Sequence, residues 1–104
     1  MPAAKNELTK EQILRYLREH KKELYEKYGV SKIGLFGSYA YGAANSDSDI
    51  DIAVEITRNN KTLHNFLSLK RDLEETFGRQ VDLGIENNLK PFIKEKVERE
   101  IIYA

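Results

Sequence analysis

Apolar residues near the start of the chain recur at the spacing of an amphipathic helix. They share one helical face and comprise Ile13, Leu17, Leu24 and Tyr28. The Thr9–Gln12 segment has the sequence of a capping box, in which a threonine hydroxyl and a glutamine side chain satisfy each other's backbone amides. Together these features predict one helix from about Lys10 to Tyr28, with Gly29 as its stop.

Three shorter segments have the patterns of strands. Asp49–Ile56 alternates strictly, with isoleucine or valine at every second position, and predicts a half-buried strand. Val30–Phe36 is short and apolar and predicts a buried strand. Gln80–Ile85 repeats the alternation and predicts a third strand.

The remaining elements follow from apolar spacing and from glycine and proline. Thr62–Phe77 predicts a second long helix, and Pro91–Ile101 predicts a last one that begins at proline. Gly37–Ser48 is rich in small and polar residues and predicts a loop with one helical turn. This order of helices and strands predicts an α/β (α+β) fold in a single domain over residues 1–104.

The charge balance and the missing cysteines exclude several kinds of protein. Lys plus Arg and Asp plus Glu both number 17, so the chain lacks the basic excess that a polynucleotide-binding protein usually carries. With no cysteine there is no disulfide, thiolate metal site or thiol nucleophile. No apolar run approaches the roughly 20 residues of a membrane helix. We therefore expect a cytoplasmic protein with neither a membrane partner nor a polynucleotide substrate.

Asp49 and Asp51 form an Asp-x-Asp pair on the polar face of the alternating strand. Residues i and i+2 point to the same side of a strand, about 7 Å apart, so both carboxylates can reach metal ions that lie about 4 Å apart. The alternative is an ordinary solvent-facing pair. A calcium-binding loop starting at Asp47 is excluded, because its sixth and twelfth positions would be Ile52 and Arg58.

Gly37 and Ser38 follow the first predicted strand and precede the predicted helical turn. Glycine allows a ligand to approach the backbone, and the amides that follow a serine at a turn can face an anion. This arrangement suits a phosphate, although Gly-Ser after a strand is also a common turn. It is neither a P-loop nor a dinucleotide-binding fingerprint.

The whole pattern resembles the signature of the DNA polymerase beta-like nucleotidyltransferase superfamily, and in particular its minimal nucleotidyltransferase branch. The resemblance rests on Gly37-Ser38-Tyr39-Ala40, Gly42, Ser48-Asp49-Ile50-Asp51 and Val81-Asp82-Leu83, and it continues to the end of the chain. It implies a small mixed β-sheet flanked by helices, as in the polymerase beta palm.

The resemblance also implies the residues of the site. The catalytic and metal-binding residues would be Asp49, Asp51 and Asp82, which would hold two Mg²⁺ ions, and Asp82 would also help to deprotonate the attacking hydroxyl. The nucleotide-binding residues would be Gly37, Ser38 and Ser48, with ATP as the substrate.

One position departs from the family's pattern. Tyr41 stands where the family usually has arginine or lysine. A cation there could neutralise phosphate charge, so arginine at this position is expected to strengthen nucleotide binding. The alternative is that Tyr41 packs against a helix or a partner protein.

The resemblance finally implies a function and a partner. This chain would transfer AMP from ATP to a tyrosine of a HEPN-domain toxin and would be the antitoxin of that pair. Because the sequence has no length for a domain that holds an acceptor, we expect the partner to supply the acceptor. Two alternatives stay open: a catalytically weak module that neutralises a HEPN partner by contact, and an antibiotic-modifying nucleotidyltransferase.

Overall fold

A computed structural model, which describes residues 8–45 and 47–104, contains one four-stranded mixed sheet in the order β3-β2-β1-β4. Strand β1 (Val30–Phe36) is antiparallel to β2 (Ile50–Ile56), and β2 is parallel to β3 (Val81–Ile85). The short β4 (Ile102–Tyr103) is antiparallel to β1 on its other side. The predicted mixed sheet flanked by helices is confirmed.

The first predicted helix is two helices, α1 (Lys10–Glu19) and α2 (Lys21–Tyr28). The predicted capping box is present, with the Gln12 amide donating to the Thr9 hydroxyl at 3.2 Å. The prediction of one continuous helix was wrong at His20. Its imidazole Nδ1 lies 2.8 Å from the Tyr16 carbonyl oxygen, and its ring stacks on the Tyr16 ring. These local interactions hold His20 outside helical geometry.

Three further helices follow the predicted order. The helical turn after β1 is α3 (Gly37–Tyr41), and the second long helix is α4 (Leu63–Phe77). The last helix is α5 (Pro91–Glu100). Single 3-10 turns precede α4 and follow β3, at Arg58–Asn60 and Glu86–Asn88.

The main core lies between one face of the sheet and helices α1, α2 and α4. Alternate β2 residues point into it, and its fully buried large side chains include Ile13, Leu17, Leu35, Ile50, Ile52, Leu69 and Leu73. The tyrosine that ends α2 joins this core, and its hydroxyl donates to Asp72 of α4 at 2.6 Å. Burial raises the pKa of this Tyr28 hydroxyl, and its bond to Asp72 raises it further.

The opposite face of the sheet carries a row of small residues. Gly34 of β1 pairs with Ala53 of β2, and Ala53 pairs with Gly84 of β3. Ala53 is buried, so the prediction that only one face of β2 is covered was wrong at its centre. The cause is close packing on this face, because a side chain at Gly34 would collide with that of Ile101, which directly follows α5.

Strand β4 was not predicted from the sequence. The predicted last helix included Ile101, but the chain becomes extended there and Ile102 pairs with Leu35 of β1. The Tyr103 hydroxyl donates to both carboxylate oxygens of Glu86, at 3.0 and 2.9 Å. Glu86 is 3% exposed, so this tyrosine fixes the end of the chain to a buried carboxylate.

No helix among the described residues is long and apolar enough to cross a membrane. That residues 1–104 form a single domain stays a prediction, because residues 1–7 and Ser46 lie outside the described ranges.

Candidate active site

Two of the three predicted carboxylates lie side by side at one end of the sheet. Asp51 of β2 pairs in register with Asp82 of β3, and Phe36 of β1 is the partner of Asp51 on the other side. Directly paired residues of neighbouring strands carry their side chains on the same face. The hydrophobic register of β2 thus places both aspartates on the face opposite the main core.

The electrostatics of Asp51 reflect this placement. Burial, together with the negative charges of Asp82 and Asp49, raises the pKa of Asp51 from its ordinary value to about 6. Every cause of this shift acts upward, and within the described residues no basic side chain opposes it. The site therefore concentrates negative charge that its own side chains do not neutralise, as expected where a cation binds.

Asp49 lies one residue before β2 and is exposed. Its charge reaches Asp51, but the three carboxylates do not converge. Within residues 8–45 and 47–104, no three His, Cys, Asp or Glu side chains lie close enough to form a metal-binding group. The structure thus brings Asp51 and Asp82 together and leaves Asp49 at the edge of the site.

Gly37 connects β1 to α3 beside Asp51. Its φ angle is +75°, in the left-handed region that favours glycine. A Cβ built on Gly37 would collide with the Asp51 carboxylate, so this backbone and the carboxylate are in contact. Any larger residue at position 37 would strain the backbone and displace the Asp51 carboxylate, which is a candidate metal ligand.

The two predicted serines lie on either side of this point. Ser38 is half-buried in α3, and its carbonyl accepts a hydrogen bond from the Ala43 amide at 2.9 Å. The Ser48 hydroxyl accepts from the Asn45 amide at 3.0 Å and holds the loop that leads to β2. The visible role of Ser48 is therefore to shape that loop, and nucleotide binding by either serine stays a prediction.

A cleft opens between this end of the sheet and α5. Its volume is about 370 Å³, and its walls include Phe36, Gly37 and Asp51 on one side and Phe92, Lys96 and Glu100 on α5. Phe92 is 73% exposed at the margin of the cleft. The charge-rich sequence of Glu95–Glu100 is typical of a solvated helix surface, and most of these side chains are exposed, so the pattern gives no signal that this helix forms a wall of the site.

Tyr41, at the end of α3, is 64% exposed. A hydrogen bond to the Glu100 carboxylate raises the pKa of the Tyr41 hydroxyl. This interaction directs the Tyr41 hydroxyl toward Glu100 of α5, while most of the side chain stays exposed.

Comparisons with known proteins identify a family and relatives of this chain. The model of the nucleotidyltransferase domain family matches residues 17–104. The protein adenylyltransferase MntA of Thermococcus cleftensis is 45% identical over 97 residues, which cover 93% of this chain and 97% of that protein.

Two solved structures are also similar. One, of a protein assigned as a minimal nucleotidyltransferase, is 37% identical with a TM-score of 0.76, and the match covers 91% of this chain and 95% of that one. The other is a toxin–antitoxin complex with AMP-PNP. It is 25% identical with a TM-score of 0.67, over 92% of this chain and 72% of that chain.

Proposed function

This chain belongs to the nucleotidyltransferase domain family, in its minimal, MntA-like branch, and from that membership we propose that it transfers AMP from ATP to a hydroxyl of a partner protein. The observation that carries the proposal is the Asp51–Asp82 pair beside Gly37, at the end of the sheet where a cleft opens. The name of the Thermococcus relative and the AMP-PNP in the toxin–antitoxin complex support AMP as the transferred group.

The donor atoms at this site fit Mg²⁺. Carboxylate oxygens are the ligands this ion prefers, and Asp51 and Asp82 lie side by side there. Asp51 and Asp82 would hold the metal, with Asp49 moving in from the edge. When bound, two Mg²⁺ ions would supply charge neutralisation and activation for phosphoryl transfer.

The protein's own residues would then position the reactants. Gly37 would let the nucleotide approach the backbone next to Asp51, and Ser38, the next residue of α3, would bind it together with Ser48. An acceptor hydroxyl would attack the α-phosphorus of ATP, and pyrophosphate would leave as the new phosphorus–oxygen bond forms. Asp82, exposed beside Asp51, would accept the proton of the attacking hydroxyl.

We propose a tyrosine of a HEPN-domain toxin as the acceptor, with this chain as the antitoxin of the pair. The toxin–antitoxin complex among the similar structures supports such a partner. Use of ATP as the donor suits a cytoplasmic location. The alternative, neutralisation by contact with little catalysis, is motivated by Tyr41, because α3 has no basic residue to face the phosphates where the family usually has one.

Incubation of the chain with a co-expressed HEPN protein, Mg²⁺ and ATP labelled at the α-phosphate tests the proposal. We expect label on the HEPN protein, located to tyrosine by mass spectrometry. Asp51→Asn should abolish labelling while the fold and the complex persist, because it keeps the shape but removes a charged ligand. Asp47→Asn, an exposed aspartate before β2, is the matched control and should leave labelling unchanged. A complex that forms without any label would support the contact-only module instead.

A further inference from the structure

Lys96 of α5 lines the same cleft as Asp51 and Gly37. Phe92, Lys96 and Glu100 follow one another at intervals of one helical turn, so this face of α5 forms the wall opposite the sheet. Among the residues that line the cleft, Lys96 is the one that carries a positive charge.

The side chain of Lys96 is available to a ligand. Within the described residues it forms no ion pair or hydrogen bond, whereas Lys27 and Lys70 have carboxylate partners. The preceding lysine of α5, Lys94, donates to Asn87 at 3.2 Å and does not line the cleft. Lys96 is also absent from the charges that shift the pKa of Asp51, so the two residues are not an ion pair.

The helix on the opposite side of the cleft provides no cation. Helix α3 has the sequence Gly-Ser-Tyr-Ala-Tyr, and the hydroxyl of its last residue, Tyr41, is engaged by Glu100. A triphosphate in the cleft would therefore meet two carboxylates, those of Asp51 and Glu100, and one ammonium. A polyanion beside carboxylates needs cations, and lysine is a common point-charge ligand of phosphate.

We propose that Lys96 is a nucleotide-binding residue that holds the triphosphate against the Gly37–Asp51 side of the cleft. The inference rests on the proposed function, in that the cleft takes a nucleoside triphosphate. It adds that the last helix, and not the Gly-Ser turn alone, contributes the phosphate-binding charge. The competing interpretation is that Lys96 is a solvated surface lysine with no ligand.

Calorimetric titration with Mg·ATP, and with inorganic tripolyphosphate, tests this proposal on four proteins: the unmodified chain, Lys96→Gln, Lys96→Arg and the control Lys94→Gln. Both lysines lie on α5, so the two glutamine variants lose the same charge from the same helix. We expect Lys96→Gln to weaken both ligands about tenfold, which is the lower range for a charge-assisted hydrogen bond. The loss should shrink as salt is added, because the site is open to solvent.

Lys96→Arg should retain most of the affinity, since a guanidinium also binds phosphate, and Lys94→Gln should bind as the unmodified chain does. Equal affinities of Lys96→Gln and the unmodified chain would overturn the proposal, as would an equal loss in Lys94→Gln. If the unmodified chain binds neither ligand, the proposal is also wrong.

AMP labelling of the HEPN protein separates this inference from the proposed function. Lysine-dependent ATP binding without labelling would support Lys96 and contradict AMP transfer. Labelling by the unmodified chain, together with full ATP affinity in Lys96→Gln, would support AMP transfer and contradict the role of Lys96.

Discussion

Replacing Gly37 by alanine should destabilise the protein through two separable effects. The first is backbone strain, because a residue with a Cβ disfavours the φ of +75° found at this position. The second is steric, because the new methyl group would collide with the Asp51 carboxylate. Asp51 cannot retreat freely, since it is flanked in register by Phe36 and Asp82.

The expected size follows from each effect. A left-handed conformation costs a non-glycine residue about 1–2 kcal/mol, and overpacking at a close contact costs about 1–3 kcal/mol. Gly37→Ala should therefore lower the free energy of unfolding by about 2–5 kcal/mol. The total stability of a domain of this size is about 5–15 kcal/mol, so the variant should still fold.

Gly42→Ala, at the opposite end of α3, is a matched control. Gly42 has nearly the same φ, +78°, but a Cβ built there meets no atom within 4 Å. It should show the backbone cost alone, about 1–2 kcal/mol. Urea denaturation of both variants, fitted with a common m-value, gives the difference that belongs to the contact with Asp51.

A double-mutant cycle with Asp51→Ala isolates that contact. Removing the carboxylate leaves only the Asp51 Cβ, 3.1 Å from the added methyl group, so Gly37→Ala should cost less in this background. The reasoning is refuted if Gly37→Ala and Gly42→Ala are equally destabilising, or if the cost of Gly37→Ala is the same with and without the carboxylate. Either result would mean that the backbone at Gly37 does not touch Asp51.

Three further predictions concern stability and nucleotide binding. Lys70 donates a hydrogen bond of 2.9 Å to Glu74 and holds the pKa of the Glu74 carboxyl below its ordinary value. The pair therefore stabilises the fold at pH values above the ordinary pKa of glutamate. This stabilisation is lost as the pH falls through the lowered pKa. Glu74→Gln should therefore cost about 0.5 kcal/mol in urea denaturation at pH 7, and its deficit should vanish in acid. Tyr103→Phe should lower the free energy of unfolding by about 2 kcal/mol in the same assay, because the Glu86 carboxylate would stay buried without the Tyr103 hydroxyl as donor. A change near zero would contradict the Tyr103–Glu86 hydrogen bond. Tyr41→Arg should change ATP affinity less than twofold by calorimetry, because the Glu100 carboxylate of α5 lies beside the Tyr41 hydroxyl and would pair with the arginine. A large, salt-sensitive gain in affinity would instead support the phosphate-neutralising role expected from the sequence.

The sequence determines the face of the sheet on which Asp51 lies, while the metal-binding role of this residue stays a prediction. Strict alternation in β2 determines which face each residue occupies, so Asp51 had to point away from the isoleucines of the core. That Asp82 lies beside Asp51 came from the family resemblance, because one sequence does not reveal which strands pair or in which register. Parallel pairing of β2 with β3 supplied the register.

Local patterns failed where long-range pairing decides the structure. The isoleucine at position 101 continues the four-residue repeat of α5, and so it was included in the helix. In the structure, Ile102 and Tyr103 gain backbone hydrogen bonds to β1, which the sequence around them does not encode. A strand of two residues is too short to show any alternation.

The wall that α5 adds to the site is a consequence of the same pairing. The row of small residues on this face, Gly34, Ala53 and Gly84, admits the segments at either end of α5: a side chain at Gly34 would collide with Ile101, and one at Gly84 would contact Leu89. The row also explains why the face of β2 that carries Asp51 is buried at the centre of the strand, at Ala53, and more open at the end where Asp51 lies. The charged residues of α5 are mostly exposed, as their sequence pattern suggests, but the cleft that one face of this helix lines is visible only once three strands are in register. The two ends of the helix that carries Lys96 therefore lie against residues that carry no chemistry themselves.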